Sequence, residues 1–132
     1  MTFVIVNRIF TRTASIFLDE NNILHFAILE NVRIDYEDAL DNALVIKSLS
    51  NNKPILKLID MRANCTIEKK AQKFIDSNEI KHKTIARAVI KGSLFNRILI
   101  KFFMSLNKNS TPTKIFADYD EAYTWLLNLK HK

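Results

Sequence analysis

The residues best equipped for chemistry fall where apolar runs end. Asp60, Arg62 and Asn64 follow Ile55-Leu56-Lys57-Leu58-Ile59, and Lys91, Gly92 and Ser93 follow the run from Thr84 to Ile90. In open α/β sheets, ligands sit beyond the carboxyl ends of the strands. Gly92 is the only glycine in the chain, and it ends a strand directly before a helical segment. There it can let backbone N–H groups approach an anion, with Ser93 as helix cap and Arg97 one turn on. A plain tight turn is the competing reading. Arg62, Asn64, Gly92, Ser93 and Arg97 are therefore the candidate ligand- or anion-binding residues. Asp60 is placed to pair with Arg62 or Arg87, or to cap a neighbouring turn. No second acid accompanies it, as acid–base catalysis would require.

The remaining chemistry-bearing residues are scattered. Cys65 is placed just before a helix start, where a thiolate is stabilised, but no histidine lies near it in sequence. His25, His82 and His131 are too far apart for metal-ligand spacing. A single glycine is too few for a P-loop, a dinucleotide fingerprint or a nucleophile elbow. The expectation is no catalytic residue, no metal and no cofactor.

These residues are positioned by a repeating unit. From Lys53 to Leu129 a short apolar strand, a polar turn and an amphipathic helix recur, with strands at 55–59, 84–90 and 113–116. Such alternation requires crossovers and a largely parallel sheet. Upstream, residues 3–8 and 15–18 read as strands, and Asp19-Glu20-Asn21-Asn22 as a hairpin turn into 23–29. In that last strand Leu24, Phe26 and Ile28 share one face, Ile23, His25, Ala27 and Leu29 the other. Asp35 caps a helix to about Leu49, with Ala39, Leu40, Ala43, Leu44 and Ile46 as its buried stripe. Thr66 caps the second helix, and Asp118 the last, with Glu121 completing a capping-box pattern. Phe74 and Trp125 are expected to be largely buried.

Composition bounds the class. The 132 residues are 48% apolar and 26% charged, which makes one folded domain over residues 1–132. With one Gly and two Pro, turns must be built from other residues, and Asn21-Asn22, Asn51-Asn52 and Asn107-Lys108-Asn109 suit them. A lone cysteine excludes an internal disulfide framework and fits a reducing compartment. No apolar run reaches the ~20 residues of a membrane span or forms a signal-peptide core. The expectation is a soluble, cytoplasmic protein.

Charge is uneven. Residues 1–52 hold four Lys/Arg against seven Asp/Glu, a net −3, and residues 53–132 hold sixteen against seven, a net +9. Lys81, Lys83, Arg87, Lys91, Arg97 and Lys101 form the densest basic run. They lack the interleaved aromatics of a base-stacking platform, so nucleic acid is not the expected partner.

The third helix, residues 94–106, is apolar on most sides; only Arg97, Lys101 and Ser105 leave a polar strip. Such a helix buries more than one face. Ile98, Ile100 and Met104 point away from the stripe of Phe95, Leu99, Phe102 and Leu106. They are the candidate interface, covered by another helix, a second subunit or an apolar ligand.

Several segments in order carry a resemblance. They are Pro54-Ile55-Leu56-Lys57-Leu58-Ile59-Asp60-Met61-Arg62, Ala71-Gln72-Lys73-Phe74, Gly92-Ser93, Phe102-Phe103-Met104-Ser105-Leu106-Asn107-Lys108, Pro112-Thr113-Lys114-Ile115-Phe116, Glu121-Ala122 and Trp125-Leu126. From about Ile16 to Leu129 the chain resembles the STAS domain of bacterial anti-sigma-factor antagonists, and more closely an uncharacterised family of small bacterial SpoIIAA-like proteins. The resemblance implies an α/β fold with a mixed, mostly parallel sheet of four to six strands and four helices, in β-β-α-β-α-β-α-β-α order. It implies a non-catalytic regulatory module that binds a protein partner or a second copy of itself. In the antagonists a serine at the start of the second helix is phosphorylated within an Asp-Ser-Ser-Gly-like stretch. Here the segment reads Asn64-Cys65-Thr66-Ile67-Glu68-Lys69, without serine or glycine, which counts against a phospho-switch at Thr66. The alternative is a carrier of an apolar or lipid-like ligand beneath the third helix, since a related fold in the wider group holds lipids under a movable helix.

Overall fold

Asparagine does in this chain what glycine does in most. The structure, a computed structural model, describes residues 5–81, 84–106 and 111–130. Asn22, Asn31, Asn51 and Asn52 take left-handed φ values of 61°, 56°, 53° and 58°. Asn tolerates that region because its short amide can bond the local backbone. The turn at Asn107-Lys108-Asn109 lies outside the described residues, as do Lys83, His82 and His131.

Alternating residues build an antiparallel meander from β1 (Ile5–Phe10), β2 (Ala14–Asp19) and β3 (Ile23–Ile28). Three crossovers follow. A short β4 (Val32–Ile34) and α1 (Tyr36–Leu49) lead to β5 (Ile55–Met61). A short β6 (Cys65–Ile67) and α2 (Lys69–Lys81) lead to β7 (Thr84–Lys91). Then α3 (Arg97–Ser105) leads to β8 (Thr113–Phe116), and α4 (Tyr119–Lys130) ends the fold. The main sheet has six strands in the order β1-β2-β3-β5-β7-β8, and its last three pairings are parallel. β4 and β6 form a separate two-stranded parallel ribbon.

Each sheet face has its own core. Leu24, Phe26 and Ile28 lie on the face that α1, α2 and α3 cover, where Val89, Phe102, Phe103 and Leu106 join the packing. Ile23, Leu58, Ala88 and Ile90 lie on the other, beneath Ala122, Tyr123 and Leu126 of α4. Asp35 caps α1 in a reciprocal box: its carboxylate accepts the Asp38 N–H at 2.8 Å, and Asp38 accepts the Asp35 N–H at 3.1 Å. Asp118 accepts the Asp120 N–H at 3.0 Å where α4 begins.

Several expectations are corrected. The three upstream strands read from the sequence all join the sheet, one more than the order the resemblance implies, and the ribbon of β4 and β6 is additional; three-residue strands are too short to show a period. Thr66 lies in β6, so it does not cap the second helix, which begins at Lys69. The third helix begins at Arg97 rather than 94, because Asn96 caps it by accepting the Leu99 N–H at 3.0 Å. Ser93 is therefore not its cap. On α1, Leu44 is exposed while Asp38 and Asn42 are buried. Their polar groups are satisfied: Asn42 bonds Thr11 and Thr13, and Asp38 accepts the Arg12 Nε–H at 2.8 Å. Phe74 and Trp125 are half-buried, Phe74 edge-on to Tyr36 and Trp125 beside Phe116.

Candidate functional site

The carboxyl edge of the parallel strands carries the candidate residues, but Asp60, Arg62 and Asn64 are tied up in bonds within the fold. Asp60, at the end of β5, takes Arg62 as a forked partner, with Nε and Nη2 at 2.9 and 2.7 Å and the backbone N–H at 3.1 Å. Arg87 is not its partner. It pairs in register with Lys57, on the opposite face of the sheet, and its Nη1 donates to Thr113 at 2.8 Å. The Arg62 guanidinium also lies 5.3 Å from the Tyr119 ring centre. Asn64 donates to the Asn31 side chain at 3.2 Å, and its carbonyl accepts the Asn31 N–H at 2.8 Å, which joins the roots of β4 and β6.

Gly92 is required by this closure. A Cβ there would stand 2.4 Å from the Arg62 carbonyl oxygen, so the space an anion would enter is filled by backbone. Ser93 is exposed in the turn that follows, and Arg97 is exposed at the first position of α3. The five candidates therefore sit along one edge without converging on a common point. Thr66 is exposed on β6. Cys65 is buried in the same strand, and burial pushes its thiol pKa up rather than stabilising a thiolate. Nor is the basic run one patch: Arg87 is buried at 1% exposure, Lys91 ends β7, and Arg97 and Lys101 lie on α3. Among the described residues no group of three His, Cys, Asp or Glu side chains is placed to hold a metal.

A buried polar chain on the α4 face went unread in the sequence. Asp19 accepts His25 Nε2–H at 2.9 Å, the Tyr123 hydroxyl at 2.5 Å, and the backbone N–H groups of Asn21 and Ile23 at 2.9 and 3.0 Å. On the other side of the ring, Nδ1 lies 3.0 Å from the Tyr119 hydroxyl, within hydrogen-bond reach. The order carboxylate, imidazole, hydroxyl is that of an acid–base relay. Its hydroxyl end, however, is a poor nucleophile: burial and then the charge of Asp60 push the Tyr119 pKa up to about 12. Burial alone would raise the Asp19 pKa, but the bonds from His25, Tyr123 and Ile23 outweigh it and hold the carboxyl below its ordinary value. The chain ties the β2–β3 hairpin to α4. The clue in the sequence is the alternation, since Asp19 and His25 fall on one face across an antiparallel pair.

Two further features lie on the opposite side. A cavity of about 100 Å³ opens between the sheet and the helices, walled by Ile46 of α1, Phe74 and Ile75 of α2, and Phe102, Phe103 and Leu106 of α3, with Lys57 and Arg87 also on its lining. Outside it, α3 turns Ile98, Ile100 and Met104 to the surface at 66%, 40% and 41% exposure, with Leu94 at 61% just before the helix. None of the described residues covers them. No described helix is long and apolar enough to cross a membrane.

Comparison with known proteins agrees with this architecture. A structure of an uncharacterised protein of the DUF3478 family from Shewanella loihica PV-4, described as having a SpoIIAA-like fold, superposes with a TM-score of 0.60 over 96% of both chains at 17% identity. The chain thus has a SpoIIAA-like fold. No curated protein matches the sequence. The family described as Domain of unknown function (DUF7793) matches residues 16–130, nearly the whole fold, and the chain belongs to that family.

Proposed function

We propose that this chain is a non-catalytic, STAS-like interaction module, one domain that acts in regulation in the cytoplasm and self-associates through the outer face of α3. The observation that carries the reading is the exposure of Ile98, Ile100 and Met104 on a helix whose other side is fully packed. Apolar side chains grouped on one element mark interaction surfaces. The single, buried cysteine supports a reducing compartment. At the strand edge, Asp60 pairs with Arg62, Gly92 lies against Arg62 and Asn64 bonds Asn31, which leaves α3 as the better-presented surface.

Sedimentation at micromolar to millimolar concentration tests this. Ile100→Glu and Met104→Glu should stay folded by circular dichroism and shift the protein to monomers, because a charge cannot be buried unpaired at an interface. A wild-type chain that is monomeric throughout refutes self-association. The carrier reading has the cavity beneath α3 in its favour, and Phe102 and Phe103 do line it. Its volume of about 100 Å³ is below the ~300 Å³ at which small-molecule sites begin, so a long-chain lipid does not fit this conformation. Native mass spectrometry showing a bound amphiphile would restore that reading.

A further inference from the structure

Among the described helical residues, every large apolar side chain left exposed lies on α1 or α3, and the two faces carry opposite charge. On α1 these are Tyr36 and Leu44; on α3 they are Ile98, Ile100 and Met104. At 100° per residue, Arg97 and Lys101 run down the middle of the outer face of α3, with Ile100 and Met104 on one flank and Ile98 on the other. On α1, Glu37 and Asp41 stand one turn apart beside Leu44, while Tyr36 and Lys47 take the far flank. Arg97, Lys101, Glu37 and Asp41 make no ion pair among the described residues. The α3 charge is not local accident: residues 80–117 hold eight Lys/Arg and no acid.

Other surfaces fit α3 less well. A second α3 would set Arg97 and Lys101 against their own copies. The outer face of α2 presents Lys69, Lys70 and Lys73, again like charge. α4 exposes Asp120 and Glu121 but no large apolar side chain. A helix lying in a membrane surface needs apolar residues at the centre and cations at the flanks, the reverse of this arrangement.

We infer that the outer face of α3 docks on the outer face of α1 of a second copy, Arg97 and Lys101 meeting Glu37 and Asp41 while Ile98, Ile100 and Met104 pack on Leu44 and Tyr36. This rests on the self-association reading and names the surface that completes it. The two faces differ, so the contact is heterologous. A pair of helices of 9 and 14 residues buries less than a standard interface of about 1,200–2,000 Å², so association is weak and salt-sensitive.

Charge swaps test it on the full chain, by sedimentation at low salt, with folding checked by circular dichroism. One variant carries Arg97→Glu with Lys101→Glu, the other Glu37→Lys with Asp41→Lys. Each alone should self-associate at least about tenfold more weakly than wild type. An equimolar mixture should associate again, to within about threefold of wild type, because each variant then meets its complement. Swapped variants that associate like wild type, or a mixture that stays monomeric, overturn the inference, while monomers from Ile100→Glu in the same series would leave self-association standing. A wild type that is monomeric at every concentration overturns both, as does one that stays monomeric and binds phosphatidylglycerol vesicles through α3.

Discussion

Asp19→Ala should be among the most damaging single changes in this protein, although the residue stands at the edge of a turn. Its side chain receives four hydrogen bonds, and it and His25 are only 2% and 3% exposed. Removal strands the His25 Nε2–H, the Tyr123 hydroxyl and the Ile23 N–H where water cannot easily replace the acceptor. Each buried donor left without a partner costs about 1–3 kcal/mol. With three such donors the expected loss is about 3–5 kcal/mol, a large share of the ~5–15 kcal/mol typical of a domain. Asp19→Asn should lose less, because one carbonyl oxygen still accepts the turn N–H groups, but its amide then faces two donors.

The same carboxylate gives a pH signature. Its pKa is lowered in the folded state, so the unfolded chain takes up the proton first as pH falls. The contribution is complete above the ordinary carboxylate value of about 3.9 and is lost as pH falls below it. Urea unfolding at neutral pH and at a series of acidic values, on wild type and Asp19→Asn, measures both. Wild type should lose stability in acid more steeply than the variant. A loss below about 1 kcal/mol for Asp19→Ala, or identical acid profiles, would refute the network as a staple of the fold.

Other outcomes are equally specific. Gly92→Ala should destabilise by about 1–3 kcal/mol in chemical denaturation, since its Cβ would meet the Arg62 carbonyl at 2.4 Å and backbone must move. Asp35→Ala should cost about 1 kcal/mol and reduce protection of the first amides of α1 in hydrogen exchange. Trp125→Ala should cost about 2–3 kcal/mol, short of the full range for a buried tryptophan because Trp125 is half-buried; thermal unfolding checks it. Cys65 should react slowly with thiol reagents in the native state and at the rate of a free thiol in denaturant, because it is buried and its pKa is raised.

What could be read before the structure was the part governed by periodicity. β2, β3, β5, β7 and β8 all carry runs long enough to show a period, and Asp35 and Asp118 announce their helices by type and position. The errors cluster where three residues decide the outcome. Thr66 is an acceptable cap by type, but the backbone there pairs with Val32–Ile34, a contact about thirty residues distant that no local signal encodes. Ser93 and Asn96 are both good caps, and the choice falls to Asn96 because Gly92 is held against Arg62, leaving residues 92–95 in a turn. Asp38 and Asn42 look like solvated helix positions until Arg12, Thr11 and Thr13 of the β1–β2 connection come to meet them.

The candidate site shows how one substitution of structure redirects a fold. A sheet of this type ordinarily keeps the carboxyl edge of its parallel strands open for a ligand. Here the chain leaving β3 and the chain leaving β5 zip together as β4 and β6, held by the Asn31–Asn64 pair and, farther along, by Arg33 and Glu68 at 2.6 Å. The same closure brings Arg62 back onto Asp60 and onto Gly92. Arg62, the cation at that edge, is thereby neutralised by Asp60, and the first turn of α3 is capped by its own Asn96. With that edge spent on internal bonds, the unsatisfied surface moves to the helical layer, where apolar residues stand exposed on two helices of opposite charge. The proposed interface between copies would use both faces at once, whereas a small anion at the strand edge would use neither.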